Sequence, residues 1–370
     1  MSSSPTFDLA IPLVGFNPSC GVRMVIHVAN ALAARRRRVA FVVPSHASVP
    51  PMDLRTHVEV ITRGDAHGLR DRLELAKHLP PARVYLATGY YTPMLIARGR
   101  RSASPHAHIV HLIQADEITT HIRYGSQPAI LKPVLKQIAR RGLAIPATRI
   151  AVSHAVAEAV GRGRIHRIIN PGIDERYLER AREDTTPRRL RRLDSTKQLT
   201  VGFFAQPGRV KGTQVAIDAI ERMPRSSGVR FLAYDRPGAP ALPDFVERFS
   251  VLQPERPKDL MSFYTTCDVF LFPSLAEGFG FPPLEAMACG AATVISDCGG
   301  VREYARHIGN CLLFTPGDAA AAANAVQHLI DDTPLRAGLV AEGRATALRF
   351  PVEQFASQCA DEIERLIKSG

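Results

Sequence analysis

Residues 268–304 read DVFLFPSLAEGFGFPPLEAMACGAATVISDCGGVREY. The apolar run at 269–272 predicts a buried strand, a glycine-containing loop (EGFG) follows at 277–280, and Pro282-Pro283 predicts the start of a helix. Glycines directly after a strand let the backbone approach a ligand, and free N–H groups at the next helix start attract an anion such as a phosphate. The segment therefore predicts a strand–loop–helix unit with an anion-binding loop.

Two carboxylates in this segment are candidates for ligand contact. Glu277 lies in the loop and Glu285 about one turn into the helix, so both can face one cleft at different depths. One carboxylate would bind sugar hydroxyls and the other ribose hydroxyls. A Gly-Phe-Gly turn and a solvated helix glutamate explain the same letters, so the segment alone leaves both interpretations open.

Short β-rich runs alternate with helical patterns along the whole chain, which predicts α/β layers around parallel sheets. The predicted strands lie at 7–14, 39–43, 58–61, 84–87, 109–113, 149–152, 165–169, 199–205, 229–234, 269–272, 292–296 and 311–314. The predicted helices include 22–34, 213–222, 281–287 and 352–367. This order predicts two doubly wound domains.

Length and charge agree with two domains. The chain has 370 residues and a formal net charge of +12. Residues 1–198 hold 31 basic and 15 acidic residues, whereas residues 199–370 hold 16 and 20, so the two halves face different partners. We expect a cytoplasmic protein, because the sequence lacks a membrane-length apolar run and a signal-peptide pattern. The six cysteines form no C-x-x-C pair and are expected to be reduced and mostly buried.

The segment 183–197 (EDTTPRRLRRLDSTK) is polar, highly charged and contains Pro187, which is typical of a linker. We therefore expect a first domain over residues 1–184, a linker over 185–198 and a second domain over 199–351.

The segment 268–304 resembles the E-x7-E signature of family 4 of the retaining glycosyltransferases (glycosyl transferases group 1). Their fold is GT-B, two Rossmann-like doubly wound domains with an interdomain cleft. The pattern continues through DCGG at 297–300, EY at 303–304, GN at 309–310 and PGD at 316–318. NPGID at 170–174 resembles the end of the family's first domain, and 350–367 its last helix, so residues 352–370 are expected to pack back on the first domain.

The resemblance implies roles in binding a nucleotide-sugar donor. Glu285 would bind the ribose hydroxyls and Glu277 the donor sugar. Backbone N–H groups of Gly278, Phe279, Gly280 and Phe281 would bind the diphosphate.

A second motif, GFFAQPGRVKG at 202–212, carries cations. Lys211 matches the family's Lys-Gly and would neutralise the leaving diphosphate. The family's arginine, five positions earlier, is replaced by Gln206, and Arg209 is the candidate substitute. Glu277, Lys211 and Arg209 are therefore the predicted catalytic residues.

Two motifs in the first half complete the predicted site. In NPSCGVR at 17–23, Gly21 keeps one of the family's two glycines near the donor phosphates, and Cys20 replaces the other. In HLIQADE at 111–117, Gln114 occupies the position where relatives carry a histidine near the donor sugar. Asp116 and Glu117 are candidates for acceptor contact. A helix N-terminal acidic pair explains these two equally well.

The resemblance implies a hexosyltransferase-type enzyme that moves a sugar from a nucleotide-diphosphate sugar to an acceptor hydroxyl, in glycan, glycolipid or natural-product biosynthesis. A UDP-sugar is favoured, with dTDP- and GDP-sugars as alternatives. No Asp-x-Asp pair occurs, so we expect neither a metal nor another cofactor, and charge would be neutralised by Lys211 and N–H groups.

The acceptor stays open. Arginine blocks at 35–38, 98–101, 162–167 and 188–192 would bind an anionic or lipid-linked acceptor, or the inner membrane face peripherally; arginines on a solvated surface explain them as well. Two rival functions are a nucleotide-sugar 2-epimerase of the same fold and a nonspecific basic nucleic-acid-binding protein. No specific nucleic-acid partner is expected, since aromatics make up 6% of the chain and Trp is absent.

Overall fold

The computed structural model describes residues 6–13, 15–16, 19–45, 50, 52–62, 75–118, 120, 128–183, 198–225, 228–236, 238–250 and 257–369. The chain divides into two compact units. The first contains residues 1–123, 127–171 and 352–370, and the second contains residues 172–351.

Strands and helices alternate along both units. The strands are β1 (Phe7–Pro12), β2 (Val39–Val43), β3 (Val58–Thr62), β4 (Ala82–Ala87), β5 (His108–Ile113), β6 (Thr148–Ala151), β7 (Arg167–Ile168), β8 (Leu199–Ala205), β9 (Val229–Asp235), β10 (Val246–Ser250), β11 (Val269–Phe272), β12 (Ala292–Ser296) and β13 (Leu312–Phe314). The helices are α1 (Cys20–Ala34), α2 (Thr92–Ala103), α3 (Lys132–Ala144), α4 (His154–Val160), α5 (Glu175–Arg182), α6 (Thr213–Arg222), α7 (Pro257–Thr266), α8 (Phe281–Ala288), α9 (Ala319–Asp331), α10 (Thr333–Ala347) and α11 (Val352–Ser369).

Each unit contains one parallel sheet. The strand order is β3-β2-β1-β4-β5-β6-β7 in the first unit and β10-β9-β8-β11-β12-β13 in the second. In both sheets the order reverses next to the first strand, between β1 and β4 and between β8 and β11. At such a reversal the loops after neighbouring strands diverge and leave a crevice at the carboxyl ends, where α/β proteins bind ligands. The α/β prediction with two Rossmann-like domains is confirmed.

The central strands are apolar because helices cover both faces of each sheet. All five residues of β2 and all four of β11 are buried. In the first unit α1 starts behind Ser19, whose hydroxyl oxygen accepts the Val22 N–H at 3.4 Å. The helix buries Met24, Val25 and Leu32 among others.

The last helix, α11, packs against α1 and β4. It buries a stripe that includes Phe355, Cys359 and Ile363. Ion pairs flank this stripe: Arg35 binds Asp361 at 2.6 Å and Glu364 at 3.2 Å, Arg37 binds Glu364 at 2.8 Å, and Arg167 binds Glu362. Helix α11 thus belongs to the first unit.

Helix α5 belongs to the second unit, although we predicted it within the first domain. It packs on α8 and α10, and it buries Tyr177, whose ring centroid lies 6.3 Å from that of Tyr264 on α7. These apolar contacts draw residues 172–183 to the second core. The expected linker over 185–198 lies, apart from residue 198, outside the described residues. The domain limits at 184, 198 and 351 stay predictions.

Strand β10 was not predicted. Its sequence, VERFS, alternates apolar and polar residues, and it lies at the edge of the second sheet, paired only with β9 among the described strands. Of the helices in the described part of the chain, none combines the length and the hydropathy that crossing a bilayer requires.

Candidate active site

The loop after β8 is held tightly against the end of β11. Gly212 has a φ of +67°, and a Cβ on it would lie 1.9 Å from the Pro273 carbonyl oxygen, so the position requires glycine. Thr213 begins α6; its Oγ1 donates to the Gln206 carbonyl at 2.8 Å and accepts the Gln206 N–H at 3.0 Å. The two ends of the loop are thereby closed on each other, which fixes the Lys211 backbone.

Lys211 and Glu277 form an ion pair at this strand reversal. Lys211 Nζ lies 2.9 Å from Glu277 Oε1, and the two side chains are 39% and 15% exposed. Ser274 Oγ also donates to Glu277 Oε1, at 2.7 Å. Both donors thus bind one carboxylate oxygen, and Oε2 is not used by either. The fold brings together two predicted catalytic residues that are 66 positions apart in the sequence.

Sequence reasoning did not single out Ser274. Its hydroxyl lies 3.0 Å from the Val210 carbonyl, which already accepts the Leu275 N–H at 2.7 Å, and Ser296 Oγ donates to the Ser274 carbonyl. The side chain of Ser274 is therefore fixed between β8, β11 and β12. A hydroxyl three residues before a candidate carboxylate was the available signal.

The backbone of Glu277 is held by the loop after β12. Glu277 N–H donates to the Cys298 carbonyl at 3.0 Å, and the Gly300 N–H donates to the Glu277 carbonyl at 3.1 Å. Gly300 packs directly on the glycine loop, because a Cβ on Gly300 would lie 2.2 Å from the Gly278 oxygen. Two loops therefore position the carboxylate.

The glycine loop leads into α8 and contains backbone N–H groups without a backbone acceptor among the described residues. Gly280 precedes the helix with a φ of +86°, and Tyr304 Oη donates to the Gly280 carbonyl. No described backbone carbonyl accepts a hydrogen bond from the N–H of Gly278, Phe279, Gly280 or Phe281. These four N–H groups, next to Lys211 and at a helix N-terminus, suit an anion.

The side chains of this loop differ in environment. Phe279 is buried and its ring contacts those of Phe281, Tyr304 and Phe350 at centroid distances of 5.4, 5.4 and 5.9 Å. Phe279 therefore packs in the core, and only its backbone is positioned for a ligand. Burial raises the pKa of Tyr304 well above its usual value, so the hydroxyl remains a donor.

Glu285 is buried on α8, with 4% of its surface exposed. Its Oε2 accepts a hydrogen bond from the hydroxyl of Tyr264, on α7, at 2.9 Å. Tyr264 itself is fully buried. The Tyr264 hydroxyl thus fixes the position of the Glu285 carboxylate. Sequence reasoning missed Tyr264 because it lies outside the motif at 268–304. The solvated-glutamate interpretation of Glu285 is wrong.

Arg209 lies in a short 3₁₀ turn over Arg209–Lys211 and is exposed. The turn starts after Gly208, whose φ is +89° with no atom near the site of a Cβ. Arg209 thus lies in the same turn as Lys211, two residues before it.

Two predicted residues of the first unit, Gly21 after β1 and Gln114 after β5, lie against each other. Gly21, in the first turn of α1, packs against Gln114 after β5: a Cβ at Gly21 would lie 2.9 Å from Gln114 Oε1. Residues 17 and 18 of this motif lie outside the described residues, and Cys20 is half-buried. The other five cysteines are buried, and no disulfide occurs.

Glu117 has an unusual protonation state. Burial, with the nearby Asp116 as a weaker cause, raises its pKa to about 8, although a backbone hydrogen bond at Tyr90 acts in the opposite direction. Near neutral pH the carboxyl group of Glu117 therefore keeps its proton and can donate a hydrogen bond to an oxygen atom of a ligand. Asp116 instead accepts the Ile118 N–H at 3.1 Å and caps its own turn.

His111 lies inside the first sheet and is 2% exposed. Burial, and secondarily the charge of Arg149, lowers its pKa to about 3. It is a neutral core residue, and Gln114 is the polar group that follows this strand.

Several of the arginine blocks are neutralised by acids of the same chain. Besides Arg35 and Arg37, Arg38 binds Glu59 at 3.3 Å and Arg162 binds Glu158. The block at 188–192 lies outside the described residues. Among the residues that the structure describes, no three His, Cys, Asp or Glu side chains are grouped to hold a metal ion.

Comparison with known proteins finds similarity to glycosyltransferases in the second unit. Residues 246–346 match the family model of glycosyl transferases group 1. The serotype-specific mannosyltransferase WbdA of Escherichia coli is 36% identical over 113 residues, which are 30% of this chain and 14% of that protein. The match therefore spans well under two thirds of the relative's length.

Solved structures resemble almost the whole chain. Sucrose-phosphate synthase from Thermosynechococcus elongatus superposes with a TM-score of 0.78 at 19% identity, covering 98% of this chain and 99% of that one. HepE of Anabaena, in complex with UDP-glucose, gives a TM-score of 0.72 at 18% identity, covering 97% and 100%. The GT-B fold class predicted from the sequence is confirmed.

Proposed function

We propose that this chain is a retaining glycosyltransferase, and the match of residues 246–346 to the glycosyl transferases group 1 supports this. It moves a sugar from a nucleotide-diphosphate sugar to an acceptor hydroxyl in glycan, glycolipid or natural-product biosynthesis. One observation carries the proposal. Lys211, Ser274 and Glu277 meet at the carboxyl ends of β8 and β11, beside four N–H groups that no described backbone carbonyl accepts.

The cluster suits a sugar diphosphate. The diphosphate binds the N–H groups of Gly278 to Phe281 and the ammonium of Lys211, which is more than one-third exposed. Arg209 supplies a second cation from the adjacent turn. These groups stabilise the negative charge that develops on the leaving nucleotide as the glycosidic bond breaks.

The carboxylates then act on the hydroxyl groups of the donor. Glu277 keeps Oε1 on Ser274 and Lys211 and uses Oε2 to accept a hydrogen bond from the donor sugar. Glu285, held by Tyr264, accepts hydrogen bonds from the ribose. Gly21 lets the first unit's loop approach the donor, with Gln114 beside it.

Transfer retains the anomeric configuration without a covalent enzyme intermediate. The bond between C1 and the phosphate oxygen breaks through an oxocarbenium-like state, and the acceptor oxygen attacks C1 from the same face. The departing phosphate oxygen takes the proton of the acceptor hydroxyl, and the products are the glycosylated acceptor and the nucleoside diphosphate. Glu277 orients the sugar and does not attack it. Asp116 and Glu117 contact the acceptor.

The donor is favoured to be a UDP-sugar, with dTDP- and GDP-sugars as alternatives. HepE, which shares the fold, was solved with UDP-glucose, which supports a uridine nucleotide. Metal independence, peripheral contact with a membrane and an anionic acceptor are further parts of the proposal.

Thermal unfolding with UDP, dTDP, GDP or ADP, with and without EDTA, tests donor binding, because a ligand of the folded state raises its stability. We expect a selective increase that survives EDTA, is lost in Glu285→Ala and persists in the control Glu342→Ala, an exposed glutamate of the same unit. An unchanged melting temperature with every nucleotide would contradict the donor site.

Product analysis separates the reactions. With a donor and a hydroxyl acceptor, we expect acceptor-dependent release of nucleoside diphosphate and a product whose anomeric configuration by NMR equals that of the donor. A changed sugar nucleotide formed from donor alone would identify the 2-epimerase. Binding of polynucleotides of any sequence, with steep loss in salt and no nucleotide-sugar effect, would identify a nonspecific nucleic-acid binder.

A further inference from the structure

The start of helix α3 exposes an unusual cluster of apolar side chains. Ile130, Leu131 and Val134 are 82%, 45% and 55% exposed. They are three of the five large hydrophobic residues that are exposed in the described part of the chain. Single exposed hydrophobic residues are ordinary, whereas a group within five positions indicates an interaction surface.

These side chains form one face. Val134 lies four residues after Ile130 and three after Leu131, so the three meet on the same side of the 3₁₀ turn Ala129–Leu131 and the first turn of α3. Arg141 lies two turns further along the same stripe, seven residues after Val134.

The charge around this face has one sign. Residues 128–144 (PAILKPVLKQIARRGLA) contain Lys132, Lys136, Arg140 and Arg141 and no Asp or Glu. Lys136, Arg140 and Arg141 are exposed. By contrast, the arginines near α11 are paired with carboxylates. The helix therefore combines apolar side chains with a net positive charge, because residues 128–144 contain basic residues and no acidic ones.

The opposite side of the helix is firmly attached to the first unit. Ala139 and Gly142 are buried, and a Cβ on Gly142 would lie 1.9 Å from the Tyr90 carbonyl oxygen. Arg149 Nη2 donates to the Leu143 and Ile145 carbonyls, at 2.6 Å each, at the helix C-terminus. The apolar face is thus presented on a rigid support.

We infer that residues 129–141 bind the surface of an anionic lipid bilayer. Ile130, Leu131 and Val134 insert below the headgroups, while Arg141, on the same stripe, and Arg140, at its flank, contact anionic headgroups. An interfacial helix with apolar residues on one face and Lys or Arg beside them binds in this way. A protein partner would need acidic groups of its own, whereas an anionic bilayer supplies charge and an apolar layer together. The inference rests on the peripheral membrane contact in the proposed function and gives it a site, whereas its tests do not depend on the transfer reaction.

The first test uses fluorescence. The chain has no tryptophan, so Ile130→Trp places a single indole on the face, and Leu348→Trp places one at an exposed apolar position elsewhere. We expect the emission of the first variant to shift to the blue with vesicles of phosphatidylcholine and phosphatidylglycerol, but not with phosphatidylcholine alone. The emission of the second should not change. An unshifted spectrum for Ile130→Trp would overturn the inference.

The second test is vesicle co-sedimentation with charge-matched variants. Arg140→Gln/Arg141→Gln should weaken binding at low salt by about fivefold per residue. Arg349→Gln/Lys368→Gln, which removes the same charge from exposed positions elsewhere, should bind as the wild type. If both double variants lose vesicle binding equally, binding depends only on the net charge of the protein, and the assignment to α3 is wrong.

Ile130→Ser/Val134→Ser tests the apolar contribution. Both positions are exposed, so the variant should fold, and a urea-unfolding transition equal to that of the wild type would verify this. We expect at least a tenfold loss of vesicle binding. If the double variant instead binds vesicles normally and abolishes a concentration-dependent dimer of the wild type, the face contacts a second copy and the bilayer inference fails.

Discussion

Gly300→Ala tests whether the glycine loop binds the donor. A Cβ at position 300 would lie 2.2 Å from the Gly278 oxygen, 2.3 Å from the Gly278 carbonyl carbon and 2.5 Å from the Phe279 nitrogen. These are backbone atoms, which cannot rotate away. Because real Cβ contacts are longer than 3.0 Å, one of the two loops must move by about 0.8 Å.

The cost follows from this displacement. Overpacking of this kind destabilises a protein by about 1–3 kcal/mol, which the second unit should survive. A misplacement near 1 Å of a positioning group costs on the order of 10²-fold in rate. We therefore expect Gly300→Ala to be folded, about 1–3 kcal/mol less stable and about 10²-fold less active, with weaker nucleotide binding.

Urea unfolding, nucleotide titration and initial rates measure the three quantities. Gly338→Ala is the control, because no atom lies within 4 Å of its Cβ position and it lies inside α10. The control should be fully active and about 0.5–1 kcal/mol more stable, from helix propensity. A Gly300→Ala enzyme that is destabilised but binds and turns over the donor normally would refute the donor role of the loop.

Three further changes have defined outcomes. Ser274→Ala removes one of two donors from Glu277 Oε1 and should lower kcat about tenfold with little change in melting temperature; an unchanged kcat would show that Lys211 alone orients the carboxylate. Tyr264→Phe leaves buried Glu285 without its hydroxyl donor, so urea unfolding should reveal a loss of about 1–3 kcal/mol together with weaker nucleotide binding. Glu117 has a raised pKa in the folded state, so it favours folding at low pH, and this contribution is lost as the pH rises from about 4.5 through about 8. Relative to wild type, Glu117→Gln should therefore gain stability between pH 5 and pH 9, by about 4 kcal/mol; parallel pH profiles of unfolding would contradict the raised pKa.

Much of the fold could be predicted because the central strands are buried on both faces. β2, β8, β11 and β12 have the bounds expected from their continuous apolar runs. β10 could not be found this way, since an edge strand such as VERFS is stabilised by pairing with β9 and carries charged residues. The sequence of β10, with its mixture of apolar and charged residues, is also typical of exposed loops, so it does not identify a strand.

The site was only partly predictable. The resemblance identified Lys211 and Glu277 individually, whereas their direct ion pair depends on the parallel pairing of β8 with β11. The Gly21–Gln114 contact likewise depends on both loops lying at one sheet edge. Tyr264 and Ser274 donate hydrogen bonds to Glu285 and Glu277, respectively, and only the folded structure brings Tyr264 next to Glu285. The partners of Arg35 and Arg37 could not be predicted for the same reason, because their carboxylates lie on α11, more than 300 residues later.

The position of α11 has a consequence for biosynthesis. The ribosome completes the second unit before it has made the helix that covers α1 and β4 of the first. We therefore expect the first unit to complete its packing after the second, in contrast to the usual order in which the N-terminal domain folds first. Until residues 352–369 emerge, the nascent first unit keeps an uncovered apolar surface beside unpaired Arg35 and Arg37. We expect the first unit to be the chaperone-dependent half of the chain, and the second to mature early.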